Sequence, residues 1–217
     1  MTGRLPPTAS VAEATEGMKL NAPSALRNVD ALTNLLLEVA PTTGTALELA
    51  SGTGQHIVAF AQALPGLTWH PSDLAADRRA SIDAYRMESA CANIAPVRAL
   101  NACASGWSRD MPAQDLIVCI NLLHLVSDAA AQTLVLEAGQ ALAPGGTLML
   151  YGPFKRDGQL TSEGDARFDA QLRAADAAIG YKDDSTVSGW LAQAGLASAA
   201  PVPMPANNLA FVGRKPR

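Results

Sequence analysis

A basic excess is missing from this sequence: 16 Lys and Arg stand against 20 Asp and Glu, for a net charge of −4. Nucleic-acid binders usually carry a basic excess or stripe, so a nucleic-acid partner is not expected. Two short basic clusters, Arg78–Arg79 and Arg214, Lys215 and Arg217, read as solvated surface. Paired cysteines are missing too. Cys91, Cys103 and Cys119 make an odd count with no CxxC spacing, which excludes a zinc motif and a disulfide framework; no metal is expected. Cys119 sits in an apolar run and reads as a small core residue. No stretch approaches about 18 continuous apolar residues, so no membrane-spanning helix is expected. The opening stretch, MTGRLPPTASVAEATEG, has no apolar signal-peptide region. With reduced thiols, these absences point to a cytoplasmic protein with no membrane partner. There is no polar linker near the middle, no internal repeat and no low-complexity tract. At 217 residues and 48% hydrophobic, the chain reads as one domain over 1–217 around one sizeable core.

What is present is an alternation of strand and helix. After a Pro- and Thr-containing start (1–10) read as mobile, leucines at helical spacing predict a helix over 24–39 with Ser24 near its cap. Strands are predicted over 45–50, 67–71, 97–102, 116–122 and 147–151, and helices over 55–64, 77–92 and 128–142. Pro144-Gly145-Gly146 is the stop of the last of these helices. Such alternation means a parallel sheet covered by helices on both faces. The runs LIVCINL and TLMLY are continuously apolar, as strands buried on both faces should be. Residues 152–185 are polar and rich in Asp, Gly and Arg. Part of this stretch, 162–178, is predicted helical, and its length marks a lid-like insertion. A helix over 186–194 follows, then strands over 199–204 and 209–213 joined by Pro205-Ala206-Asn207-Asn208, a turn signal.

The informative stretch is LELASGTGQH, residues 47–56. An apolar strand carries Glu48 and then breaks into small residues. In doubly wound sheets ligands sit beyond the carboxyl ends of the strands, and glycine lets backbone come close to them. A dinucleotide fingerprint would be G-x-G-x-x-G; here the third glycine is missing, and an acid inside the strand end suits a pyrophosphate poorly. It suits S-adenosylmethionine, which has an ammonium and a sulfonium and no phosphate. Asp73, at the end of the second strand, is placed to accept hydrogen bonds from ribose hydroxyls, or else to cap the following helix.

The chain resembles the DUF938 family of S-adenosylmethionine-dependent methyltransferases, which includes the methyltransferase-like protein 26 group. The resemblance rests on LRN (26–28), ELASGTGQH (48–56), WHPSD (69–73), INLLHLV (120–126), YGPF (151–154), FDAQLR (168–173) and PMPANNLAFVGRK (203–215). It implies a Rossmann-like Class I methyltransferase sheet of seven strands with the last antiparallel. It implies cofactor contacts from Glu48, Ala50, Gly52, Gly54 and His56, with Asp73 on the ribose and Asn101 near the adenine. Asn121 and Leu122 would lie beside the methionine part, and Arg27 and Asn28 would close over it. The product would be S-adenosylhomocysteine. The family pattern is departed from at IGYKDD (179–184), within the lid.

Methyl transfer from a sulfonium needs alignment and exclusion of water more than a catalytic group, though a hydroxyl or protonated amine acceptor benefits from a general base. His124, beyond the fourth strand, is the candidate base; a packing histidine is the alternative. His56 reads as fixing its loop and His70 as structural. Tyr151 and Phe154 end the fifth strand, where acceptor pockets are often lined. Asp169, Arg173 and Asp176 could form ion pairs on one helix face, or Arg173 could face the acceptor. The expectation is a small-molecule methyltransferase whose acceptor is not readable and whose oligomeric state is open. The alternatives are an S-adenosylmethionine-binding protein without methyl transfer and, less supported, a nicotinamide-dependent oxidoreductase.

Overall fold

The computed structural model describes residues 12–14 and 17–217; the expectation for residues 1–10 falls outside them. A two-residue hairpin, Glu13–Ala14 with Leu20–Asn21, precedes helix α1, Pro23–Val39. Proline opens this helix because the first helical N–H needs no partner, and the residue before it, Ala22, is the cap; Ser24 does not cap it, contrary to expectation. Leu32, Leu35 and Leu36 bury its inner face.

The alternation then runs β1 Gly44–Leu49, α2 Gln55–Ala63, β2 Leu67–Asp73, α3 Ala76–Ser89, β3 Arg98–Ala99, β4 Gln114–Ile120, α4 Asp128–Ala141 and β5 Leu142–Lys155. Helix α5, Glu163–Ala175, helix α6, Asp184–Gln193, and strands β6, Val202–Pro203, and β7, Asn208–Arg214, follow. The sheet order is β6-β7-β5-β4-β1-β2-β3. Strands β1 to β5 are parallel, whereas β7 inserts antiparallel beside β5, from Asn208 opposite Pro153 to Arg214 opposite Thr147. Two further pairs, Lys182–Asp183 on the end of β5 and Ala197–Ser198 on β7, extend the edges.

The fold class expected from the sequence is therefore the one observed, with corrections at the edges. The third strand shrinks to two residues and the 199–204 strand to Val202–Pro203. The proline-glycine stop lies inside β5 instead of ahead of it, absorbed where the pairing with β4 shifts register. Helix α6 starts at Asp184, capped by the Asp183 carboxylate.

Each face of the sheet has its own core. Trp69, Phe60, Ile57 and Met149 pack with α1 and α2 on one side. On the other, Leu47, Cys119, Leu150 and Phe211 pack with α4 and α6. Strand order reverses at β1, whose neighbours are β4 and β2. The crevice outside their carboxyl ends is where this class of sheet takes ligands. A smaller cluster, Leu172, Ile179 and Tyr181 with Phe168, holds α5 above that end.

Candidate functional site

A cleft of about 1610 Å³ opens at the carboxyl ends of β1, β2, β4 and β5. Its floor is the turn after β1. Ala50 and Gly52 both take left-handed backbone, with φ of 51° and 62°. The turn is held from the neighbouring strand: the Gly52 N–H donates to Asp73 Oδ2 at 3.0 Å, and the Ser51 N–H to the Ser72 carbonyl at 2.8 Å. The other Asp73 oxygen accepts from the Ala75 N–H at 2.9 Å. Asp73 thus fixes two backbone segments at once. It does not cap α3, whose cap is Ala75.

The two glycines of the turn do different work. A Cβ on Gly52 would meet nothing nearer than the Ala50 carbonyl oxygen, at 3.9 Å. One on Gly54 would sit 2.8 Å from the Ile82 Cα. Gly54 is where the start of α2 packs against α3. It is not among the residues that line the cleft.

Glu48 is buried at the end of β1 and faces the cleft with Oε2 unpartnered. Burial, with the Asp73 charge nearby, pushes its carboxyl up to about 8. His56, in the first turn of α2, bonds Asn28 Oδ1 through Nε2 at 2.8 Å and stacks on Phe60. Burial lowers its imidazole to about 4. Arg27, Asn28, Ala50, Gly52, Asn101, Asn121 and Leu122 also line the cleft. Asn121 adopts φ 55° and anchors its N–H on the Tyr151 carbonyl at 2.8 Å.

His124 and Tyr151 line the same cleft. His124 lies in a short turn of 3₁₀ helix, ringed by Phe168 and Tyr181 at centroid distances of 5.8 and 6.2 Å. Burial, then the Lys182 charge, holds it down at about 3. The Tyr151 hydroxyl lies beside the amides of Asn28 and Asn208; burial raises its titration despite them. Asp169 and Arg173 are not brought to the cleft. Arg173 Nε donates to Asp169 Oδ2 at 2.9 Å, and Asp169 Oδ1 accepts from the Tyr181 N–H at 2.6 Å. Arg173 opens on a separate depression of about 490 Å³ with Lys155 and Lys182. Asp176 ends α5 instead of pairing with Arg173. Phe154 packs edge-on against Phe211 in the core, away from the cleft.

Sequence reasoning missed Asp165 and Tyr181. The Asp165 carboxylate accepts from the hydroxyls of Thr161, Ser162 and Tyr181 and from the Asn207 amide. Burial would raise it, but those hydrogen bonds outweigh burial and keep it below the usual carboxylate range. Ser162, just before Glu163 and three residues before Asp165, was the available signal, since it marks a cap. Nothing in the sequence tied that cap to a hairpin forty residues on.

The residues present fit S-adenosylmethionine. A buried, unpartnered carboxylate oxygen faces the cleft, as a cationic ligand group would need, and the Gly52 turn leaves room above its backbone. Among the described residues no cluster of three His, Cys, Asp or Glu could hold a metal, and no helix is long and apolar enough to cross a membrane.

The family model described as "Protein of unknown function (DUF938)" matches residues 19–215. Solved structures with the same fold include an O-methyltransferase family protein from Burkholderia thailandensis, with a TM-score of 0.74 and 18% identity over 89% of this chain and 56% of that one. Another is CalO1, a methyltransferase in calicheamicin biosynthesis with SAH bound, at TM-score 0.69 and 18% identity over 89% and 54%. A third is an O-methyltransferase family 2 protein from Planctomyces limnophilus in complex with apigenin, at 0.67 and 18% over 86% and 61%. The chain spans little more than half the length of these proteins.

Proposed function

Because the chain belongs to the DUF938 family and has the fold of Class I methyltransferases, we propose that it is an S-adenosylmethionine-dependent methyltransferase acting on a small-molecule acceptor, within the methyltransferase-like protein 26 group. The observation that carries this reading is Glu48, buried with a free oxygen at the floor of the cleft, beside Asp73 and the Gly52 turn. In this reading 1–217 is one domain, cytoplasmic, and residues 152–185 cover the cleft.

Glu48 takes the ammonium end of the ligand and Asp73 the ribose. Ala50, Gly52 and His56 border its methionine part with Asn121 and Leu122, Asn101 borders the adenine, and Arg27 and Asn28 close over it. When bound, the ligand supplies an electrophilic methyl on a sulfonium and leaves as S-adenosylhomocysteine. The chain's own contribution is alignment and exclusion of water: α5 and its aromatic residues cover the acceptor side, and Tyr151 orients the acceptor. His124 stays neutral and can accept a proton only weakly, so the acceptor must bring most of its own nucleophilicity.

A second reading is a protein that binds the cofactor without transferring its methyl group. Transfer of a labelled methyl group to any acceptor decides between the two.

The first test is titration calorimetry with S-adenosylmethionine, S-adenosylhomocysteine and NAD on the wild type, Glu48→Ala and Asp73→Ala. Binding of the first two, lost in both variants, is the expected result. Binding of NAD alone, or of none of the three, overturns the methyltransferase reading.

A further inference from the structure

The cleft, at about 1610 Å³, exceeds the roughly 300–1,000 Å³ typical of a site for one small ligand. Its charges are unevenly placed. The cations among its described lining residues are Arg27 on α1, next to Asn28, and Arg78 on α3. The far side is built from Tyr151 and Pro153 at the end of β5, Asp165 and Phe168 on α5, and Tyr181, and carries no cation.

Lys155, Arg173 and Lys182 are close in sequence to that wall but open elsewhere. Lys182 is 3% exposed, and its Nζ is taken by the Val126 carbonyl at 2.7 Å and the Asp128 carboxylate at 2.9 Å. Arg173 is held by Asp169. Among the described residues named for this wall the charge is the Asp165 carboxylate, kept ionised by four hydrogen bonds. An anionic ligand there would lose its hydration and meet a like charge, with no counter-ion among the described residues of that wall, which is costly.

The uncharged part of the wall is aromatic. Phe168 and Tyr181 pack edge to face at 6.1 Å, with His124 against both. Tyr151 adds one directed polar group. Asn28 Oδ1 is engaged by His56, so its amide turns an N–H toward Tyr151. The Asn208 amide, whose Nδ2 donates to the Pro205 carbonyl at 2.9 Å, likewise lies beside the hydroxyl with an N–H toward it. The hydroxyl keeps hydrogen-bonding capacity for a ligand.

Resting on the methyltransferase reading, we propose that the acceptor is an uncharged or cationic aromatic molecule bearing a hydrogen-bonding group, seated against Phe168, Tyr181 and Tyr151, and that carboxylates and phosphates are rejected. The probes are three indoles of one shape: tryptophol (neutral), tryptamine (cationic) and indole-3-acetate (anionic). They are titrated into protein already saturated with S-adenosylhomocysteine, saturation being checked first by calorimetry. Tryptophol and tryptamine bind, and indole-3-acetate binds at least about tenfold more weakly, the scale of one mispaired charge. Tyr151→Phe weakens tryptophol about fivefold, the worth of one hydrogen bond, and Asp165→Asn removes the advantage of tryptamine over tryptophol. Indole-3-acetate binding as tightly as tryptophol overturns the proposal, as does failure of all three on the loaded wild type. Failure of S-adenosylhomocysteine itself to bind overturns the methyltransferase reading and this proposal with it.

Discussion

Asn28 Oδ1 and His56 Nε2 lie 2.8 Å apart in a buried contact that ties α1 to the first turn of α2. With Oδ1 facing it the bond has the proton on Nε2, and burial keeps the ring neutral. Asn28→Ala would leave that N–H without a partner. We expect a loss of about 1–3 kcal/mol, measured by urea unfolding, together with weaker S-adenosylmethionine binding as α1 loosens over the cleft.

Stability should peak near pH 6.5. His56 and His124 ordinarily titrate near 6.5 but are held at about 4 and about 3. As pH falls below 6.5 only the unfolded chain takes up these protons, and stability drops by about 1.4 kcal/mol per pH unit for each. Glu48 has the opposite sign. Its pKa rises from 4.5 to about 8, so its contribution is full below 4.5 and is lost as pH rises to 8. Between 4.5 and 6.5 the two histidines outweigh it; above 6.5 Glu48 acts alone. Thermal unfolding at pH 5, 6.5 and 8 should show the maximum in the middle. Glu48→Gln should abolish the alkaline decline and gain about 2–4 °C at pH 8 for each kcal/mol regained. Equal wild-type melting at 6.5 and 8 would contradict a buried, unpartnered carboxyl.

The two glycines of the turn should separate. Gly54→Ala drives a methyl into α3 and should cost about 2 kcal/mol or more. Gly52→Ala meets open space and should cost about 1–2 kcal/mol for its left-handed backbone alone, while its added methyl intrudes on the ligand side. Denaturant midpoints and calorimetry on the same pair will distinguish packing from binding.

Asp169 and Arg173, a pair in contact, should behave unequally. Asp169→Ala strands the buried Tyr181 N–H and should cost about 1–3 kcal/mol. Arg173→Ala removes a half-exposed partner and should cost under about 1 kcal/mol, with no change in binding of tryptophol to the loaded protein. A large binding loss in Arg173→Ala would place the guanidinium in the acceptor site after all.

Asp165→Ala should release α5 from both Tyr181 and the Asn207 turn. Limited proteolysis is expected to cut residues 156–181 several-fold faster, with most of the global stability retained.

The sheet was readable because its strands are continuous apolar runs and its turns are marked by Pro and Gly. Glu48, Asp73 and the Gly52 turn were readable because a strand end followed by small residues is a local pattern. The parts that could not be read are non-local. Gly54 looks like a ligand glycine until Ile82 of the next helix is placed beside it. Asp169 and Arg173 look like a functional pair until Tyr181 is seen to need one of them. Asp165 acquires its position from Asn207, forty-two positions away along the chain. Spacing along a chain carries no information about such partners.

The antiparallel insertion of β7 has a temporal side. Asn28 belongs to the first helix, Asn208 begins the last strand, and both meet Tyr151. A ribosome delivers the first long before the second. Until residues 208–214 emerge, β5 presents an unpaired rim and the Tyr151 hydroxyl lacks one of its two neighbours. The floor of the cleft, built from residues 44–73, can be complete while the wall that bears Tyr151 still waits for its closing strand.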